Sequence, residues 1–155
     1  MSIQRPDPAR STPPIEFETR YFPLVVVVLH GLPTDSEYQW MFIEWERIYA
    51  RREKFLALTD ARNVTDRAPP KQRAMLADWT RKTEPLLLPY SCGSAIIVES
   101  AWVRGALTAI HWLHKPKVPQ AYFTKVPEAY DWAASRLTEC GVAIPPTMRA
   151  YRDRL

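Results

Sequence analysis

Glycine is scarce in this chain, four residues in 155, and cysteine scarcer still, with only Cys92 and Cys140. The few glycines form no G-x-G-x-x-G or G-x-x-x-x-G-K-[ST] loop, so the phosphate cradles of dinucleotide-binding and P-loop proteins have no local support. The two cysteines are far apart, with no C-x-x-C spacing; they suggest neither a disulfide framework nor a zinc knuckle, and two reduced thiols are expected. No apolar run approaches the roughly 18 residues of a membrane span. The opening "MSIQRPDPARSTPP" also has no apolar segment of the secretory kind, so a soluble cytoplasmic protein is the expectation. A concentrated basic face is missing as well. Of the net charge of +4, residues 1–14 hold Arg5 and Arg10 against Asp7, and residues 145–155 hold Arg149, Arg152 and Arg154 against Asp153. Most of the surplus thus sits in the tails, and no nucleic-acid partner is expected.

What is present suits one globular domain with a real core, since 46% of the residues are hydrophobic and 25% charged. Residues 1–14, rich in proline and poor in large apolar side chains, read as a flexible arm. Residues 15–141 read as the domain, and residues 142–155 as a loosely attached C-terminal tail. Within the domain, "IEFETRYFPLVVVVLHG" predicts a short strand, a turn from Arg20 to Pro23, and a buried strand from Leu24 to Leu29. The β-branched run is continuous and not alternating, which fits a strand covered on both faces.

"TDSEYQWMFIEWERIYARREK" then predicts a helix, with Thr34 and Glu37 spaced as a capping box and Tyr38, Met41, Phe42, Trp45, Ile48 and Tyr49 on one face. "FLALTD" predicts a second buried strand, followed by a polar loop after Asp60. Pro69 and Pro70 start a helix containing Met75, Leu76, Trp79 and Leu86 or Leu87. "SAIIVES" reads as a third strand, ahead of a helix with Trp102, Val103, Ala106, Ile110 and Leu113. "QAYFT" is a short fourth core strand, and "KVPEAYDWAASRLTECG" a closing helix faced by Val126, Tyr130, Ala133 and Leu137 and capped at Gly141. This alternation predicts an α/β fold, a single mixed, largely parallel sheet of about five strands with covering helices, the first strand pairing antiparallel.

His30 follows one core strand, and Asp60 and Arg62 follow the next. The three are expected to meet at the carboxyl edge of the sheet, where ligands gather in open α/β folds, and to line a ligand pocket's mouth with Glu99 and Ser100. They lack a nucleophile, an oxyanion motif or a spacing peculiar to one reaction, so an acid/base enzyme at this edge stays an alternative and is not compelled. Asp60 equally suits bonding to nearby backbone N–H groups to shape the turn. His111 and His114 are three apart, but no further ligand set completes them, and neither a metal nor a cofactor is expected. Cys92 in "YSCGSA" does not match a G-x-S-x-G elbow and reads as a buried or half-buried thiol at a strand entrance. Among the six tryptophans, Trp40 and Trp45 stand about 140° apart around their helix. One of the two is expected at or beyond the core's edge, where an aromatic anchors a partner or a second copy.

Two stretches carry a family resemblance: "VVVVLHGLPTDSEYQWMFIEWERIYARREKFLALTDARNV", a strand, polar turn, amphipathic helix and strand ending in Asp, and "AYFTKVPEAYDWAASRL", a closing strand, small turn and helix. Over residues 15 to 140 the order of elements resembles the STAS-like superfamily. The nearest likeness is to the SpoIIAA-like group of small bacterial STAS relatives, which share a fold with lipid-carrying proteins of the CRAL-TRIO type. The resemblance implies a partner-binding switch, a phosphorylatable Ser or Thr at the start of the helix after the strand matching Phe55 to Asp60. Here that stretch is "DRAPPKQ", with no hydroxyl between Asp66 and the helix. Thr65 is the nearest candidate and is displaced from the family's place, so the loop reads as architecture or contact surface. The expectation is a non-enzymatic protein-interaction or regulatory domain, acting as a homodimer or with a protein partner, and recognising it through Trp40, Trp45, Arg62, Arg67 and Lys71. The alternatives are a small-molecule or lipid-binding domain with a pocket between sheet and helices, and an enzyme at the carboxyl edge.

Overall fold

Residues 15–30 double back on themselves: β1 (Ile15–Glu18) and β2 (Leu24–His30) pair antiparallel across the turn between them. The computed structural model describes residues 12–64, 66–99, 101 and 116–155. Three further strands, β3 (Phe55–Asn63), β4 (Ser91–Ile97) and β5 (Gln120–Phe123), add in parallel, giving a five-stranded sheet in the order β1-β2-β3-β4-β5. The mixed, largely parallel α/β sheet expected from the sequence is therefore present. When successive parallel strands add in one direction through right-handed crossovers, their connecting helices fall on one face. α1 (Asp35–Ala50) and α2 (Pro70–Leu87) occupy that face. The opposite face is closed by α3 (Val126–Glu139), after the last strand, and by the short α4 (Pro146–Arg152) beyond it.

The apolar run of β2 divides between these two cores. Val25 and Val27 pack with Phe55 under α1, whereas Leu24 and Val26 pack with Leu56, Leu58, Ala95 and Ile97 under α3. α1 begins at the capping box: the Glu37 N–H donates to Thr34 Oγ1 at 3.3 Å, and the Thr34 N–H donates to Glu37 Oε2 at 2.7 Å. Its buried residues are Tyr38, Met41, Phe42, Trp45, Ile48 and Tyr49, the six of the expected face. α2 opens at Pro70 and sits less deeply, with Met75, Leu76, Trp79 and Leu87 only partly buried and Leu86 exposed. α3 ends in a Schellman turn. Gly141 takes φ +79° and its N–H donates to the Thr138 carbonyl, while the Val142 N–H donates to that of Leu137, both at 2.9 Å.

Three boundaries differ from the sequence reading. β3 does not yield to a loop after Asp60 but runs on to Asn63, held in the ladder by His30 and by the Gly31 N–H bonded to the Asn63 carbonyl at 3.0 Å. β4 starts at Ser91, so Cys92 lies inside the strand and not at its entrance. The C-terminal residues are not loosely attached: Met148 of α4 is fully buried, and its carbonyl accepts the Tyr130 hydroxyl at 3.0 Å. Arg152 forks onto Asp131, Arg154 donates to Tyr21 Oη, and Tyr151 stacks on Tyr21 with ring centroids 4.4 Å apart. The tail's arginines thus fasten the helix instead of forming a free basic patch. Thr65, Ser100, the helix expected from Trp102 to Leu113 with its His111–His114 pair, and residues 1–11 of the expected arm lie outside the described residues.

Candidate functional site

At the carboxyl edge of the sheet, β3 places Asp60 and Arg62 two residues apart on one face, and they pair with each other. Arg62 Nε and an Nη donate to Asp60 Oδ1 and Oδ2 at 2.9 and 2.7 Å, and the Arg62 N–H also reaches Oδ1 at 3.1 Å. Both carboxylate oxygens are engaged, the backbone-shaping role included, and the Asp60 partnership raises the pKa of the guanidinium above its usual value. His30 is drawn elsewhere. Its Nε2 lies 2.8 Å from Glu16 Oε1, and its Nδ1 accepts from Asn63 Nδ2 at 3.3 Å. The three expected ligand residues are neighbours at one edge, and among the described residues their polar atoms are directed at one another or at adjacent groups. Tyr151 stands close by, its phenol pushed up to about 12 by burial, with Tyr21 and Asp60 adding to the effect.

The expected docking residues are also largely occupied. Trp45 is buried, edge-on to Phe17 at 5.0 Å, and Trp40 is the half-exposed member of the pair, 6.4 Å from the same ring. Lys71 pairs with Asp35 at 3.0 Å, Arg62 with Asp60, and Arg67 is not free either. Burial pushes the Cys92 thiol up to about 12, with the Cys140 thiol beside it adding to the shift, which suits a core thiol and not a nucleophile.

An open space lies on the other face of the sheet, toward the amino ends of β3, β4 and β5. A cavity of about 370 Å³ lies there, and none of His30, Asp60 or Arg62 lines it. Its floor is the sheet: Ala57, Ser94 and Gln120 stand in one register row across three strands, with Thr59 in the next row. Its wall is aromatic, built from Trp45 and Tyr49 of α1 and Trp79 of α2. The Trp45 and Tyr49 rings lie within 18° of parallel, and those of Tyr49 and Trp79 within 25°. Phe42 stacks on Trp79 at 4.4 Å and fixes it from behind. Burial raises the pKa of the Tyr49 phenol, which keeps the wall neutral. At the rim, Lys117 Nζ meets Glu84 Oε1 at 2.6 Å and joins α2 to the segment entering β5.

The side chains of Thr59, Ser94 and Gln120 make no hydrogen bond to any described residue, yet none of their polar atoms is sealed from the cavity. Trp79 Nε1, in contrast, is sealed and has no acceptor. Thr59, Ser94 and Gln120 are half-buried and lay a polar strip on an otherwise apolar sheet face. The sequence signal was a polar residue within or at the head of an apolar strand, Thr59 in "FLALTD" and Ser94 in "SAIIVES". Among the described residues no three His, Cys, Asp or Glu side chains stand close enough to hold a metal ion, and no helix is long and apolar enough to cross a membrane.

No family model and no curated protein matches this chain. Among solved structures it is similar to an uncharacterized protein of the DUF3478 family from Shewanella loihica PV-4, described as having a SpoIIAA-like fold. The likeness has a TM-score of 0.60 at 18% sequence identity, and covers 77% of this chain and 91% of that one. Sheet order, the two helical layers and this likeness agree: the chain has a SpoIIAA-like fold.

Proposed function

We propose that the chain is a small-molecule-binding domain whose site is the cavity between the sheet and the α1–α2 layer. The observation that carries this reading is the cavity itself, 370 Å³ bounded by aromatic side chains with unpaired hydroxyl and amide groups on its floor. Ligand sites are commonly of this kind, apolar concavities of about 300–1,000 Å³ with a few placed polar groups. The carboxyl-edge alternative has less support, because Asp60 and His30 spend their polar atoms on Arg62, Glu16 and Asn63.

The test is native mass spectrometry of the chain purified gently from its own cell, beside an Ala57→Ile variant that places a branched side chain on the cavity floor. A small retained mass on the natural chain, absent from the variant, is expected. A bare natural chain, or the same adduct on both, overturns the reading. Association through Trp40 is a second reading, favoured by its half-exposed ring beside the edge strand β1. The same spectra read it: a dimer that a Trp40→Ala variant loses supports it, and a monomer throughout counts against it.

A further inference from the structure

We infer that the cavity takes a neutral, flat, one- or two-ring heterocycle that presents a hydrogen-bond donor and acceptor side by side, as the edge of a lactam or cyclic imide does. This rests on the ligand-binding reading above and adds the chemical class.

Volume sets the size. The 370 Å³ lies toward the lower end of the range of small-ligand sites, about 300–1,000 Å³, the scale of a one- or two-ring molecule. The wall sets the shape. Trp45, Tyr49 and Trp79 line the space with near-parallel rings, and aromatic rings meet a flat partner well, offset-stacked or edge to face. Charge sets the sign. Among the described lining residues Glu84 and Lys117 are the charged side chains, and they pair with each other at 2.6 Å, so a charged ligand gains a partner there only by breaking that pair.

The floor sets the edge chemistry. Ser94 and Gln120 are direct partners on adjacent parallel strands, about 4.8 Å apart, and Thr59 stands one row along. Hydroxyl and carboxamide groups each donate and accept. In the Gln120 carboxamide the donor nitrogen and acceptor oxygen lie side by side, and the N–H and C=O of a lactam match them in two antiparallel bonds. No described side chain competes for these atoms.

The test uses the full chain and three probes of one two-ring size: 2-quinolinone, naphthalene and 2-naphthoate, with dissociation constants from ligand-observed NMR. 2-Quinolinone is expected to bind at least about tenfold tighter than naphthalene, from two net hydrogen bonds, and 2-naphthoate more weakly than either. In the Ser94→Ala, Gln120→Leu double variant the preference for 2-quinolinone should fall to within about twofold while naphthalene binding persists. Ser94→Ala alone must reduce the preference if the double variant does not fold. Naphthalene binding as well as 2-quinolinone, 2-naphthoate binding tightest, or a preference that survives the floor changes overturns the heterocycle inference and leaves the cavity reading standing. Failure of all three probes to bind the natural chain overturns both.

Discussion

Gly93 shows how closely one residue is tied to the cavity's shape. It stands at the register shift of β4 against β3 with φ +153°, and a Cβ there would lie 3.0 Å from the Pro119 carbonyl oxygen and 3.1 Å from Cη2 of Trp132. The Pro119 carbonyl cannot retreat freely, because it accepts the Ser94 N–H at 2.9 Å. Gly93→Ala therefore combines backbone strain with a clash against main chain and a packed ring. The expected cost is about 2–3 kcal/mol, read as a lower urea midpoint. Because Ser94 shares the displaced bond, weaker probe binding should accompany it. A change below about 0.5 kcal/mol would mean that strand and ring move apart without strain. Asp60 teaches the complementary point at the same scale. Its place at the strand end read as a ligand position, but an arginine two residues on lies on the same side of a strand, and that local pair takes its oxygens first.

At the scale of elements, what could be read in advance is what a segment encodes within itself. α1 carries its own start signal at Thr34 and Glu37 and a full apolar face over sixteen residues, so its extent and its buried side followed from spacing alone. α4 has seven residues, two of them arginine, and only Met148 and Tyr151 to offer the core. That pair is too short a pattern to stand out from a polar tail. Its attachment comes from partners distant in the chain: Tyr130, Asp131 and Tyr21. Met148 is the deepest of these contacts, fully buried in the α3-side core. Met148→Ala should cost about 2–5 kcal/mol, the range for truncating a buried side chain of this size, in equilibrium unfolding. A loosely held tail would give almost no change, so the measurement separates the two descriptions of residues 146–152 directly.

At the scale of the whole molecule, the described residues fill the two faces of the sheet unequally. The α3 side is sealed by Leu56, Leu58, Ala95, Ile97 and Leu137, each without measurable exposure. The other side is packed under α1 but opens into the cavity toward β4 and β5. The fold class was legible because hydrophobic period and strand–helix alternation are local. The candidate site was not, because Thr59, Ser94 and Gln120 come from three strands and become one floor only when parallel pairing sets their register. Such an unequal filling has a consequence for stability. If the space is kept for a ligand, the empty protein forgoes packing there, and closing the space should trade binding for stability. Ala57→Ile, a β-branched residue on the central strand, is compatible with the strand backbone and fills space without crossing the sheet. Its expected effect is a gain of about 0.5–2 kcal/mol in thermal or urea unfolding, together with loss of 2-quinolinone binding. A loss of stability above about 1 kcal/mol would show the opposite, an overpacked site in which the side chains around Ala57 already meet and no room is held open.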